Sequence, residues 1–257
     1  MGQRSTPHYL GILGMILALA GCGDAGTNPS AASATSSLCA NVTGTEAILW
    51  DLYNGVIRTD VSVLPPPVPV PGGSYTNPAF PLLGFIYPAG WSPTTTSGGF
   101  QQVGVNLIRQ DQQAIWREDT QVINGVISAR DARDFEVQSL LEFLGQAGAQ
   151  PQVVCVNEGS GDAGGGIVIS FSRIMIRVGN HTAVVAASVT PLPGLPTSSI
   201  RTKVVASPTA EFPTRAIDVF LAIDWQMLLG DSRNLFDRDG DGWLDGVDAA
   251  PDDPNVH

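Results

Sequence analysis

The sequence predicts an α+β fold, a largely antiparallel sheet with helices packed on it. Apolar alternation comes in hairpin pairs, as in residues 167–178 and 181–190 around Gly179-Asn180. No strand–helix–strand repeat of the kind that builds a parallel sheet recurs. One capped amphipathic helix and one nearly all-apolar helix near the C-terminus supply the covering layers.

The N-terminal element is a targeting segment. Arg4 gives residues 1–21 a positive start, and the apolar run from Tyr9 to Ala20 is too short to span a bilayer comfortably. It ends in Leu19-Ala20-Gly21-Cys22, which resembles the lipobox of bacterial lipoproteins. The resemblance implies cleavage before Cys22, diacylation of its thiol and acylation of the new amino group, hence attachment to a membrane through acyl chains. An ordinary secretory signal with a chance cysteine is the competing reading. Gly23 stands where an aspartate commonly retains lipoproteins at the inner membrane, although Asp24 follows, so the outer membrane is the expected destination. Residues 22–37 are dominated by Gly, Ala, Ser, Thr, Asn and Pro and should form a flexible tether.

Residues 38–230 are long enough for one domain with a substantial core, and the chain as a whole is 43% apolar and 14% charged, a globular profile. Within the domain, residues 47–53 and 56–64 flank Asn54-Gly55 and suit a hairpin with a type I′ turn, while a short helix ending at Gly55 competes. The proline-rich stretch from Pro65 to Gly73 should cross the surface as an extended loop. A short strand is expected from Gly84, turning at Pro88 to Gly90, with Trp91 at the edge of the core. Strands over 101–109 and 113–118 follow. Ser128 with Asp131 is a capping signal for a helix whose inner face is Val137, Leu140, Leu141 and Leu144 and whose stop is Gly145. Strands over 151–157, 167–178 and 181–190 come next, and a last helix over 212–229, apolar nearly all round, should be buried on more than one face. This element order, with the corner Tyr87-Pro-Ala-Gly-Trp91, resembles the PsbP-like α/β/α sandwich. The resemblance implies a binding or assembly module, covers about residues 80–230 and carries over no functional residue.

With Cys22 lipidated, Cys39 and Cys155 remain in an exported chain and are expected to form a disulfide. A catalytic or redox thiol is the alternative, weakened by the lack of a Cys-x-x-Cys and of a histidine nearby in sequence. Gly159-Ser-Gly-Asp-Ala-Gly164 matches G-x-G-x-x-G, but a strand and not a helix follows it, so a flexible hairpin loop is the better explanation. The mature chain has His181 and His257 as its histidines and Lys203 as its one lysine, with no G-x-S-x-G and no H-E-x-x-H. Asp131 with Asp134, and Asp218 with Asp224, read as solvated helix faces.

The formal charge of −11 argues against nucleic acid as a partner, and residues 231–257 contribute eight Asp against two Arg, a net −6. Those aspartates have a pattern. Asp237, Asp239, Asp241, Asp245 and Asp248 fall at positions 1, 3, 5, 9 and 12 of a calcium loop, with the Trp243 carbonyl at 7 and Gly242 at the sharp turn. The stretch also resembles a single thrombospondin type-3 repeat, continuing into Pro251, Asp252 and Asn255 but with Ala250 where that family often has cysteine. An acidic solvated tail without metal is the bland alternative. The expectation is thus a lipid-anchored, non-enzymatic envelope protein that binds Ca2+ through its tail and an envelope protein or surface ligand through its domain. An envelope hydrolase with a site built from scattered residues is the alternative.

Overall fold

The computed structural model describes residues 39, 42–54, 68, 70–79, 83–97, 101–162, 167–192 and 194–229. It is α+β, with most of its strands in one antiparallel sheet. Helix α1 (Gly44–Tyr53) is followed by β1 (Pro71–Thr76), β2 (Gly84–Pro88), β3 (Trp91–Ser97), β4 (Gln102–Arg109) and β5 (Ile115–Asn124). Helix α2 (Ala129–Phe143) precedes β6 (Gln152–Asp162), β7 (Val168–Val178), β8 (His181–Pro191) and β9 (Thr197–Pro208). The C-terminal rod consists of α3 (Phe212–Arg215), a π-helical stretch (Ala216–Leu221) and α4 (Ala222–Leu229). Strands β1 and β2 form a separate hairpin, and the remaining seven lie in the order β3-β4-β5-β9-β8-β7-β6.

Period-two alternation splits this sheet into two apolar faces. One presents Leu107, Trp116, Val205, Val184, Met175 and Cys155 to α1, the C-terminal rod and Phe85 of the small hairpin. The other presents Ile115, Val204, Val185 and Ile174 to Val137, Leu140 and Leu141 of α2. The sheet is therefore the middle layer of three. Helix α2 starts where the capping signal places it: Ser128 Oγ accepts from Asp131 N at 3.0 Å and donates to Asp131 Oδ2 at 2.7 Å. Gly145, at φ +67°, ends it.

Four expectations change. Residues 47–53 are helical rather than a hairpin arm: α1 runs to Tyr53, and Asn54 N closes it on Trp50 O at 3.1 Å. Its Leu49 and Trp50 are sealed in the core beneath the rod, a contact a two-stranded arm would not make. The proline-rich connector ends earlier than read, because Pro71, Gly72 and Gly73 already belong to β1. The glycines from Gly159 to Gly161 lie in β6 and not in a loop; Phe171 lies across Gly159, where a Cβ would come within 2.8 Å of its ring. The sequence reading also passed over β9, which lies at the centre of the sheet between β5 and β8.

Candidate functional site

Charged residues are the informative part of the sheet. On the face under the rod, Glu118 of β5 pairs across the ladder with Lys203 of β9. Lys203 Nζ lies 3.0 Å from Glu118 Oε2 and 2.6 Å from Asp224 Oδ1 of α4. The Trp116 indole donates to the same Asp224 oxygen at 2.9 Å, and Arg201 reaches Glu118 through Nε at 2.8 Å and also through its terminal nitrogen. The ammonium lies 5.3 Å from the Tyr53 ring centre and 5.4 Å from that of Trp116. Glu118 and Asp224 are almost wholly buried, so this is an ion network under a helix, not a solvated surface.

Electrostatics shift the members of this network in different directions. Burial alone would raise the Glu118 carboxyl, but Arg201 and then Lys203 outweigh it and hold the group at about 2. For Asp224, burial wins over Lys203 and the carboxyl is pushed up. Lys203 moves upward because Asp224 and Glu118 together outweigh its burial. Burial, reinforced by Asp224, holds the Tyr53 phenol well above its usual range. A lysine held in its ammonium form by two carboxylates lacks the free amine that Schiff-base or general-base work requires. What this network does physically is pin α4 and α1 to the sheet.

Beside the pin lies a different cation. The register Lys203↔Ala186↔Arg173↔Asn157 places Arg173 of β7 in the same row, two strands from Lys203. Its guanidinium carbon lies 4.2 Å from the Phe171 ring centre, and burial lowers its pKa to about 10. Asn157 Nδ2 donates to Asn54 Oδ1 at 2.6 Å, joining this row to the end of α1.

Of the residues singled out from sequence, Cys39 and Cys155 are brought together in a disulfide with Cα atoms 4.8 Å apart. Cys22 and the calcium-loop residues Asp237, Asp239, Asp241, Trp243, Asp245 and Asp248 lie outside the described residues. His181 is buried, and burial lowers its pKa. Asp224 likewise departs from the solvated helix face expected for it, whereas Asp131 and Asp134 are exposed as read. Glu118, Arg201 and Arg173 carried no motif. The available signals were the chain's one lysine inside an apolar-alternating stretch, and an aspartate inside a mostly apolar helix. Among the described residues, no group of three His, Cys, Asp or Glu is placed to hold a metal, and no helix is long and apolar enough to cross a membrane.

No family model matches this chain, and no curated protein matches it. Among solved structures, the Ran-binding protein Mog1p of Saccharomyces cerevisiae is 14% identical over 58% of this chain and 87% of that one, with a TM-score of 0.31. LpqN of Mycobacterium tuberculosis, described as involved in cell envelope biogenesis, is 11% identical over 50% of this chain and 82% of its own, with a TM-score of 0.25. Likenesses this distant carry no inference about ligand or partner.

Proposed function

We propose that the protein is a lipid-anchored, non-enzymatic binding or assembly module of the bacterial cell envelope, held at the outer membrane by acyl chains on Cys22. The observation that carries this reading is the Cys39–Cys155 disulfide, because such a bond persists in an oxidising, exported compartment. It agrees with the signal-like residues 1–21 and with Leu19-Ala-Gly-Cys22. The three-layer arrangement of α1 and the rod, the sheet, and α2 is the support for a PsbP-like α/β/α assignment. Mass spectrometry of the mature N-terminus tests the anchor: acylated Cys22 is the expected result, and a mature chain beginning elsewhere with an unmodified thiol would refute it.

The tail's proposed role is to take one Ca2+ through Asp237, Asp239, Asp241 and Asp248, the Trp243 carbonyl, and Asp245 directly or through water, as a thrombospondin type-3-like loop. Hard oxygen donors in this pattern suit calcium and compete poorly for magnesium, which gives up its waters reluctantly. Aspartate at position 12 has a shorter reach than the usual glutamate, so the expected Kd is about 10⁻⁴ to 10⁻³ M. Titration calorimetry on the mature chain should give calcium heat that Asp241→Ala removes. Equal heats in parent and variant would reduce the tail to solvated acid.

A further inference from the structure

Along the face beneath the rod, charges are matched almost one for one. Arg109 is answered by Asp111 at 2.8 Å and Glu211 at 2.5 Å, Arg177 by Glu46 at 3.6 Å, and Arg201 and Lys203 by Glu118 and Asp224. Arg173 has no carboxylate and no hydrogen-bond acceptor among the described residues. Its contact is the Phe171 ring, which has room to lie there because position 159 is glycine. A guanidinium held against an aromatic ring can still offer an edge of N–H donors, the arrangement that takes a planar oxyanion two-pronged. Ala186 and Ser188 of β8 are the small residues between this edge and the Lys203–Arg201 side, about 10 Å away across two strand spacings. A half-buried cation without a counterion is costly.

We propose that Arg173, with its guanidinium stacked on Phe171 and Ala186 and Ser188 as the floor beside it, is the receptor for an oxyanion of the carboxylate or phosphate type. This assigns a ligand chemistry to the binding module proposed above and depends on neither the lipid anchor nor the calcium loop. The anion has two sources of the same chemistry: a solute, or an aspartate among the eight in residues 231–257.

The test uses the full mature chain with Cys22→Ser for solubility, at low ionic strength without calcium. For a solute ligand, inorganic phosphate at tenfold its Kd should raise Tm by about 3–5 °C over chloride of equal ionic strength. The increment should vanish in Arg173→Met and persist in Arg130→Met, which removes an exposed arginine. For a ligand from the tail, the Arg173 Nε–H resonance should be slow to exchange before any phosphate is added. Replacing the eight tail aspartates with asparagine should then abolish that protection and restore the phosphate response. Without phosphate, the tail-substituted Arg173→Met chain should be at least as stable as its Arg173 parent, since an uncompensated charge has been removed. The proposal is overturned if Arg173→Met keeps the phosphate increment, or if Arg173 Nε–H exchanges like a surface arginine while phosphate does nothing. A fall in stability in that last variant would also overturn it, leaving only structural stacking. Capture of an envelope partner with no anion response would leave the binding-module reading standing without this site.

Discussion

The two faces of the seven-stranded sheet solve the same problem with opposite electrostatics. Beneath α2, Arg117 donates to Asn106 Oδ1 at 2.7 Å and Glu136 Oε2 at 3.0 Å, while Arg133 donates to Glu158 Oε1 at 2.7 Å and Ser172 Oγ at 2.8 Å. Each arginine there has an acidic partner near the helix–sheet seam, several of them partly wet. Beneath the rod, the pin of Glu118, Lys203 and Asp224 is drier, more tightly shared, and borders Arg173, which has no carboxylate partner among the described residues. The difference separates two uses of charge: balanced pairs fasten an element, whereas a surplus cation beside a sealed network is open to an anion from outside it.

The largest effect should come from the dry side. Lys203→Met leaves Asp224 without its only ion-pair partner among the described residues and should cost about 3–5 kcal/mol by urea denaturation. Adding Asp224→Leu should recover much of that loss, because the stranded carboxylate goes with its partner; a double variant no better than the single one would mean packing, not charge, dominates there. On the wetter face, Glu136→Gln keeps the shape but weakens the bonds from Arg117 and Thr202, and should cost about 1–3 kcal/mol. If the two single losses came out equal, the contrast between the faces would collapse.

The third test is smallest at neutral pH and appears only in acid. Glu118 titrates at about 2 in the fold against 4.5 ordinarily, so its contribution is whole above pH 4.5 and drains away as pH falls towards 2. Asp224 runs the other way: its raised pKa makes protonation favour the fold as pH falls. Stability measured from pH 6 to 2 should decline less steeply in Glu118→Gln than in the parent. Parallel curves would remove Glu118 as the titrating member of the pin.

Legibility from sequence followed this same division. Helix α2 could be read because its cap, its apolar spacing and its stop all agree, and its ionic partners lie on the flanks of that pattern. Strand β9 could not, because Arg201 and Lys203 occupy inward positions where alternation leads one to expect apolar side chains. Asp224 was assigned to solvent by its type alone, and only the fold supplies the lysine that keeps it inside. Helix α1 was ambiguous because its apolar run is short, and burial against the rod decides it. The disulfide was legible by counting, since after Cys22 two cysteines remained.

That disulfide also sets how the molecule bears a load. Cys39 precedes α1, and Cys155 lies on β6 at the edge of the sheet, so everything from 39 to 155 is enclosed in one covalent ring. Tension applied on the N-terminal side of Cys39 therefore bypasses α1, β1 to β5 and α2, and is delivered through sulfur straight into β6. Reduced, the same pull would peel α1 from the rod first and reach the sheet last. The bond turns a chain that would unravel from its end into one that must be sheared at a strand edge, where many ladder hydrogen bonds share the force.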